Sequence, residues 1–186
     1  MHSAVTGAAL SNVSTVIQLT LLVGLVTPEA LVFLGWPLGL GLGATVGYGL
    51  IFYSLSTAHT GDGLPQNDPG HAFDLKSALG FATLLTGILL VSAALHEWLG
   101  TQALWPTAAL TGLADAHAGA LSALSLAAGQ KITAEQAVWP VLISLSANTG
   151  TKALVAFQSG GWPFAVRVVP GLLALVGSVW VGVLWV

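Results

Sequence analysis

The sequence predicts an all-α, polytopic integral membrane bundle of about six transmembrane helices, built as a single domain over residues 1–186. Three observations predict it. Of 186 residues, 55% are hydrophobic and only 6% are charged, whereas a soluble domain carries about 25% charged residues to keep its surface hydrated. Six stretches each hold roughly the 20 mainly apolar residues a helix needs to cross a hydrocarbon core of about 30 Å. Trp36, Trp98, Trp105, Trp162 and Trp185 fall near the ends of those stretches, where amphipathic rings favour the headgroup region. Backbone groups in lipid must pair within their own segment, so each span is a helix.

The first span covers about residues 4–26 and carries no charge; Thr27-Pro28-Glu29 breaks it. The second, about 30–55, carries Gly39, Gly41, Gly43, Gly47 and Gly49, a pattern suited to close helix packing. Residues 56–72 form the one extended polar stretch, rich in Gly, Pro, Asn and Asp, and read as a loop. Within it His59, Asp62, Asp68 and His71 form a loosely spaced set that reads first as solvated surface, with weak metal or proton capture as the alternative. The third span, about 73–95, has Lys76 close enough to its end to snorkel. A fourth follows at about 103–128 and stops at Gly129-Gln130-Lys131. Thr133-Ala134-Glu135-Gln136 then supplies an N-cap and acidic first turn for the fifth, about 133–158. Gly160-Gly161-Trp162-Pro163 makes a tight connection into the sixth, about 164–186.

Several function classes are excluded or unsupported. The net charge of −3 comes with no cluster of Lys and Arg, so nucleic acid is not an expected partner. The absence of cysteine removes disulfides and thiolate chemistry. The N-terminus lacks the basic region of a signal peptide, so the first apolar run reads as a retained span. There is no Gly-x-Ser-x-Gly, no His-Glu-x-x-His and no phosphate-binding loop, so neither an enzyme nor a bound cofactor is expected.

Asp115 is the most informative residue. It stands about halfway along the fourth predicted span, where a carboxylate costs roughly 2.5–3.5 kcal/mol and therefore needs a partner. On helical spacing Thr111, Asp115, Ala118, Ser122 and Ser125 form a stripe, beside a small-residue ridge of Gly112, Ala116 and Ala120. Ser144, Asn148, Thr151 and Lys152 share a face of the fifth span. Measured from the turn between the two spans, Asp115 and Asn148 differ in depth by about 3 Å, with Lys152 about 6 Å further along. An Asp115–Asn148–Lys152 cluster follows, with Thr149, Ser122 and Asn12 as further candidates for binding an ion or solute. Its structural counterpart is a buried ion pair that fixes helix register. Asp115 and His117 are weak metal candidates, because residues two apart on a regular helix point roughly 200° apart; a break near Gly112 or Gly119 would be needed to bring them together. Residues 10–15 (LSNVST) and 146–151 (SANTGT) align Asn12 with Asn148 and Thr15 with Thr151, a hint of the internal repeats that transporters use.

Three segments occur in order: residues 73–81 (FDLKSALGF), 109–118 (ALTGLADAHA) and 146–152 (SANTGTK). Together they resemble the C-terminal membrane region of MgtC/SapB-type bacterial proteins, a domain of unknown function. Asp115, Asn148, Thr149 and Lys152 match the family pattern; His117 stands where a second aspartate is expected and Ala147 where a serine is expected. The first departure changes the charge of any ion site. The resemblance implies a shortened relative in the bacterial inner membrane, loosely connected with magnesium-associated proteins.

The expected function is a transporter or channel-like protein for a small ion or solute, with an accessory subunit of a larger membrane complex as the alternative. Expected partners are the lipid bilayer and either further copies of the chain or other membrane subunits. With six spans both termini share a side, and Lys76 and Lys131 against Arg167 place that side in the cytoplasm.

Overall fold

The computed structural model describes residues 2–57 and 75–185. The polar loop with His59, Asp62, Asp68 and His71 lies outside the described residues. All regular structure among the described residues is helical: α1 (His2–Val26), α2 (Leu31–Thr57), α3 (Leu75–Leu99), α4 (Leu104–Ala114), α5 (Ala116–Ala128) and α6 (Ala134–Val183), with short 3-10 turns at Pro28–Ala30 and Gly100–Ala103. Within α6, Gly161 adopts φ 64° and ψ −175° and divides it into two arms, residues 134–160 and 162–183.

Among the described residues three segments are long and apolar enough to cross a membrane: Val5–Val26, Pro28–Ser54 and Gly160–Val183. Their outward faces are apolar as well; Leu25 is 82% exposed and Val32 75%. Large apolar faces of this kind need a solvent other than water.

Two apolar clusters fix how the helices run. One gathers Val23, Leu34, Leu104, Leu124, Ala137, Val138 and Val179; this end is called the base. The other gathers Val5, Ala156 and Val168, with Ala8, Tyr48 and Phe52 against it. Helix α1 therefore descends to the base and α2 returns from it. The first arm of α6 climbs from the base and the second comes back down. The contacts of α2 with that second arm agree: a Cβ at Gly41 would meet Leu175 at 3.0 Å and the Val179 side chain, and one at Gly171 would meet the Tyr48 ring at 2.6 Å. Tyr48 also donates to the Arg167 carbonyl at 2.6 Å.

The fourth predicted span, residues 103–128, is not one crossing. Leu104 and Leu124 lie in the same base cluster. Thr27, just past the end of α1, donates to the Leu124 carbonyl at 2.9 Å. A Cβ at Gly119 would stand 2.7 Å from the Thr111 hydroxyl, although residues eight apart on a continuous helix are separated by about 12 Å. Thus α4 and α5 form a hairpin that rises from the base and returns to it. Their 11 and 13 residues reach about 16 and 20 Å, half to two-thirds of a bilayer core. Val5 packs at the far end of the bundle and Val183 against the base cluster.

The expected N-cap at Thr133 and the turn at Gly160-Gly161-Trp162-Pro163 are both present. Thr133 caps α6 with a full capping box, its hydroxyl accepting from the Gln136 N–H at 3.1 Å while Gln136 Oε1 accepts from the Thr133 N–H at 2.9 Å. Two orphan donors at the helix start are satisfied together. The turn between the arms of α6 relies on Gly161, because its backbone region is essentially closed to residues with a Cβ. Gly161→Ala is expected to destabilise the fold by about 1–3 kcal/mol, read as a lower melting midpoint in detergent. Pro163 follows as the second arm starts, a position where its missing N–H costs nothing.

Candidate functional site

The hairpin is built around Ser144, which is fully buried on the first arm of α6. A Cβ at Gly112 would meet the Ser144 carbonyl oxygen at 2.5 Å and its Cα at 2.6 Å; one at Gly119 would collide with the Ser144 side chain. The Ser144 hydroxyl donates to the Ala116 carbonyl at 3.0 Å. One glycine on each limb, three before and four after Asp115, lets the hairpin sit on this one residue.

Asp115 is the tip. Its backbone is extended (φ −157°, ψ 123°), and its N–H still closes α4 onto the Thr111 carbonyl at 2.8 Å. Its carboxylate caps α5, accepting from the His117 N–H at 3.1 Å and lying 2.8 Å from His117 Nδ1. A carboxylate accepts only, so Nδ1 carries the proton of that bond. The carboxylate also meets the positive end of the α5 dipole, a favourable placement. The Asp115 side chain is nevertheless 54% exposed.

Two features of the first arm of α6 meet the tip from the side. Thr151 donates to the Leu113 carbonyl at 2.9 Å, one of the acceptors left open where α4 stops. One residue on, Lys152 crosses to α1, donating to Asn12 Oδ1 and Thr15 Oγ1, each at 2.9 Å. Both acceptors are buried and neutral. Among the described residues the salt-bridge contact is His117–Asp115, and it does not include Lys152. The Asp115 charge acts on Lys152 only through space.

A family profile for a domain of unknown function, DUF4010, matches residues 1–160. The chain belongs to the DUF4010 family. No curated protein matches it, and no solved structure does. The matched DUF4010 region ends at residue 160, one before the Gly161 turn, and so contains the hairpin, Lys152 and both of its acceptors.

The site residues expected from this DUF4010 sequence separate into three groups. Asp115, Lys152 and Asn12 come together around the tip, with Thr15, Thr151 and Ser144 joining them. Asn148, expected to cluster with Asp115 and Lys152, is half-buried on the same arm and makes no side-chain hydrogen bond to a described residue. Thr149 is buried but turns back to the Leu145 carbonyl at 2.8 Å, and Ser122 is exposed on α5. Asp115 and His117 do converge, but on each other. Among the described residues no group of three His, Cys, Asp or Glu side chains is placed to hold a metal ion. The one sequence signal for the tip was the near-symmetric placement of Gly112 and Gly119 about Asp115.

Beside Lys152 lies a cavity of about 260 Å³, with Ser11, Asn12, Thr151 and Lys152 at one end and apolar side chains at the other. It opens between α1 and the two arms of α6.

Proposed function

We propose that this DUF4010 chain is a membrane transporter or channel-like protein for a small ion or solute, and that its central site is the tip of the α4–α5 hairpin with Asp115, Lys152, Asn12 and Thr15. The observation that carries this is the hairpin itself. Extended backbone and an exposed carboxylate halfway up an apolar bundle are tolerated only where protein or a water-filled cavity surrounds them. Facing lipid, Asp115 alone would cost roughly 2.5–3.5 kcal/mol. Discontinuous helices meeting at the midplane are also how many transporters build a binding site.

In this reading the hairpin enters and leaves on one side, and α1, α2, α3 and the two arms of α6 cross. The helix α1 and the first arm of α6 run antiparallel, as an inverted repeat requires, and Asn12 reaches the site from the α1 side. Asp115, Asn148, Thr149 and Lys152 are the residues that would also make the chain a relative of MgtC/SapB-type proteins of the bacterial inner membrane. Lys131 stands at the base end, Arg167 at the other.

A specific observation favours the second reading, a subunit of a larger assembly. Gly35, Gly39, Gly43 and Gly47 recur every four residues along α2, and a Cβ at any of them would meet nothing within 4 Å. Such a ridge suits close approach of another membrane helix.

Water access separates the two. The chain has no cysteine, so Asn148→Cys introduces a unique thiol beside the tip. For a transporter it reacts with a membrane-impermeant thiosulfonate within about tenfold of a loop thiol's rate, and the reconstituted wild-type protein passes solute. A dry core gives neither, and then mass analysis of what co-purifies in mild detergent identifies the assembly.

A further inference from the structure

The Lys152 ammonium has three N–H donors, and two are used on Asn12 and Thr15. Those acceptors orient the charge without neutralising it. Lys152 lines the cavity together with Ser11, Asn12 and Thr151, and the largely apolar wall continues along Val155, Ala156, Phe164 and Val168. Its far wall exists because the Gly161 turn folds the second arm of α6 back over the first. Ser11 stands at the polar rim, exposed; its carbonyl accepts from the Thr15 hydroxyl at 2.9 Å, while its own hydroxyl makes no hydrogen bond to another described residue.

We infer that this cavity binds a small organic monocarboxylate, its carboxylate on the third Lys152 donor and the Ser11 hydroxyl, its hydrocarbon chain against Val155, Phe164 and Val168. The inference deepens the transport reading and rests on it in making this ligand the transported solute. One ammonium suits a single negative charge; the arginine forks that favour phosphate are missing from the lining. The apolar walls discriminate against chloride and other inorganic anions, which would lose hydration there and gain no burial. The ammonium repels cations. A volume of about 260 Å³ lies just below the range typical of drug-sized ligands, so a chain of a few carbons fits.

The test is calorimetric titration of the full chain in a neutral maltoside with acetate, butyrate and hexanoate, with hexanol and chloride as competitors. Each buried methylene should tighten binding about fourfold, so hexanoate should bind at least tenfold more tightly than butyrate. Hexanol and chloride should not displace it. Lys152→Met should weaken hexanoate at least tenfold. Ala156→Phe, which fills the apolar end and leaves the ammonium, should weaken hexanoate tenfold and acetate less than threefold; micelle partitioning is identical for both proteins and cannot produce that split. Should Lys152→Met fail to fold, Ala156→Phe and the hexanol competition decide. Absence of saturable hexanoate binding, displacement by hexanol, or wild-type affinity in Ala156→Phe overturns the inference. Flux of an inorganic ion without carboxylate binding overturns it and leaves the transport reading intact. Binding without flux keeps the site and removes the transport reading.

Discussion

Asp115→Asn is expected to cut reconstituted solute flux at least tenfold while leaving a folded, monodisperse protein. Asparagine is as good an N-cap as aspartate, so Oδ1 can still accept the His117 N–H that now lies at 3.1 Å. The tip should keep its shape. What disappears is the negative charge, half exposed at the tip and acting on Lys152 through space. Asp115→Ala removes the cap as well, and a lost N-cap typically costs about 1 kcal/mol. The two variants therefore separate charge from scaffold: the melting midpoint should fall for alanine and stay near wild type for asparagine, while flux falls for both. Wild-type flux in Asp115→Asn, measured by tracer uptake at matched protein density, would mean that the carboxylate only caps α5. The site would then be structural.

Gly112→Ala should be among the most destabilising single-methyl additions in the chain. The new Cβ would stand 2.5 Å from the Ser144 carbonyl oxygen and 2.6 Å from its Cα. Those are backbone atoms of a buried helix and cannot rotate away. Overpacking of this kind costs about 1–3 kcal/mol, equivalent to about 2–12 °C in melting midpoint for a chain of this length. Relief requires the hairpin to lift off α6, which would also separate Thr151 from the Leu113 carbonyl. Gly150→Ala is the matched control. It lies in the same arm of α6, its Cβ would meet nothing within 4 Å, and alanine is favoured over glycine in a helix by about 1 kcal/mol. Size-exclusion profiles after a heating series read both. Equal midpoints for Gly112→Ala and wild type would mean that the hairpin does not seat on Ser144.

The readable and unreadable parts of the site divide along one physical line. The small-residue ridge of Gly112, Ala116 and Ala120 was legible, and all three are buried. The Thr133–Gln136 capping box was legible because it depends on four consecutive residues. The hairpin was not. A run of apolar residues states which solvent a segment prefers, and both a straight crossing and a reversal at Asp115 satisfy that preference. The reversal shows in the close approach of Thr111 to Gly119, which a regular helix forbids. Lys152 illustrates a second limit. Depth along the bundle can be counted from a turn, and it put Asp115 and Asn148 near Lys152. Counting does not say which way a side chain points around its helix, and Lys152 faces α1, where Asn12 and Thr15 hold it.

By itself, then, the sequence determined the properties that follow from solvation and local geometry: an all-helical chain, long apolar segments suited to a bilayer, the helix starts and turns, and the short roster of polar residues from which any site must be drawn. Burial cost and capping act over one or two helical turns, so they are written in contiguous residues. Tertiary structure alone decided that α4 and α5 fold back on each other, that Val5 and Val183 pack at opposite ends of the bundle, and that Lys152 is held by neutral acceptors rather than by Asp115. Those outcomes depend on packing between segments far apart in the chain, above all the approach of Gly112 and Gly119 to Ser144, which no single segment encodes.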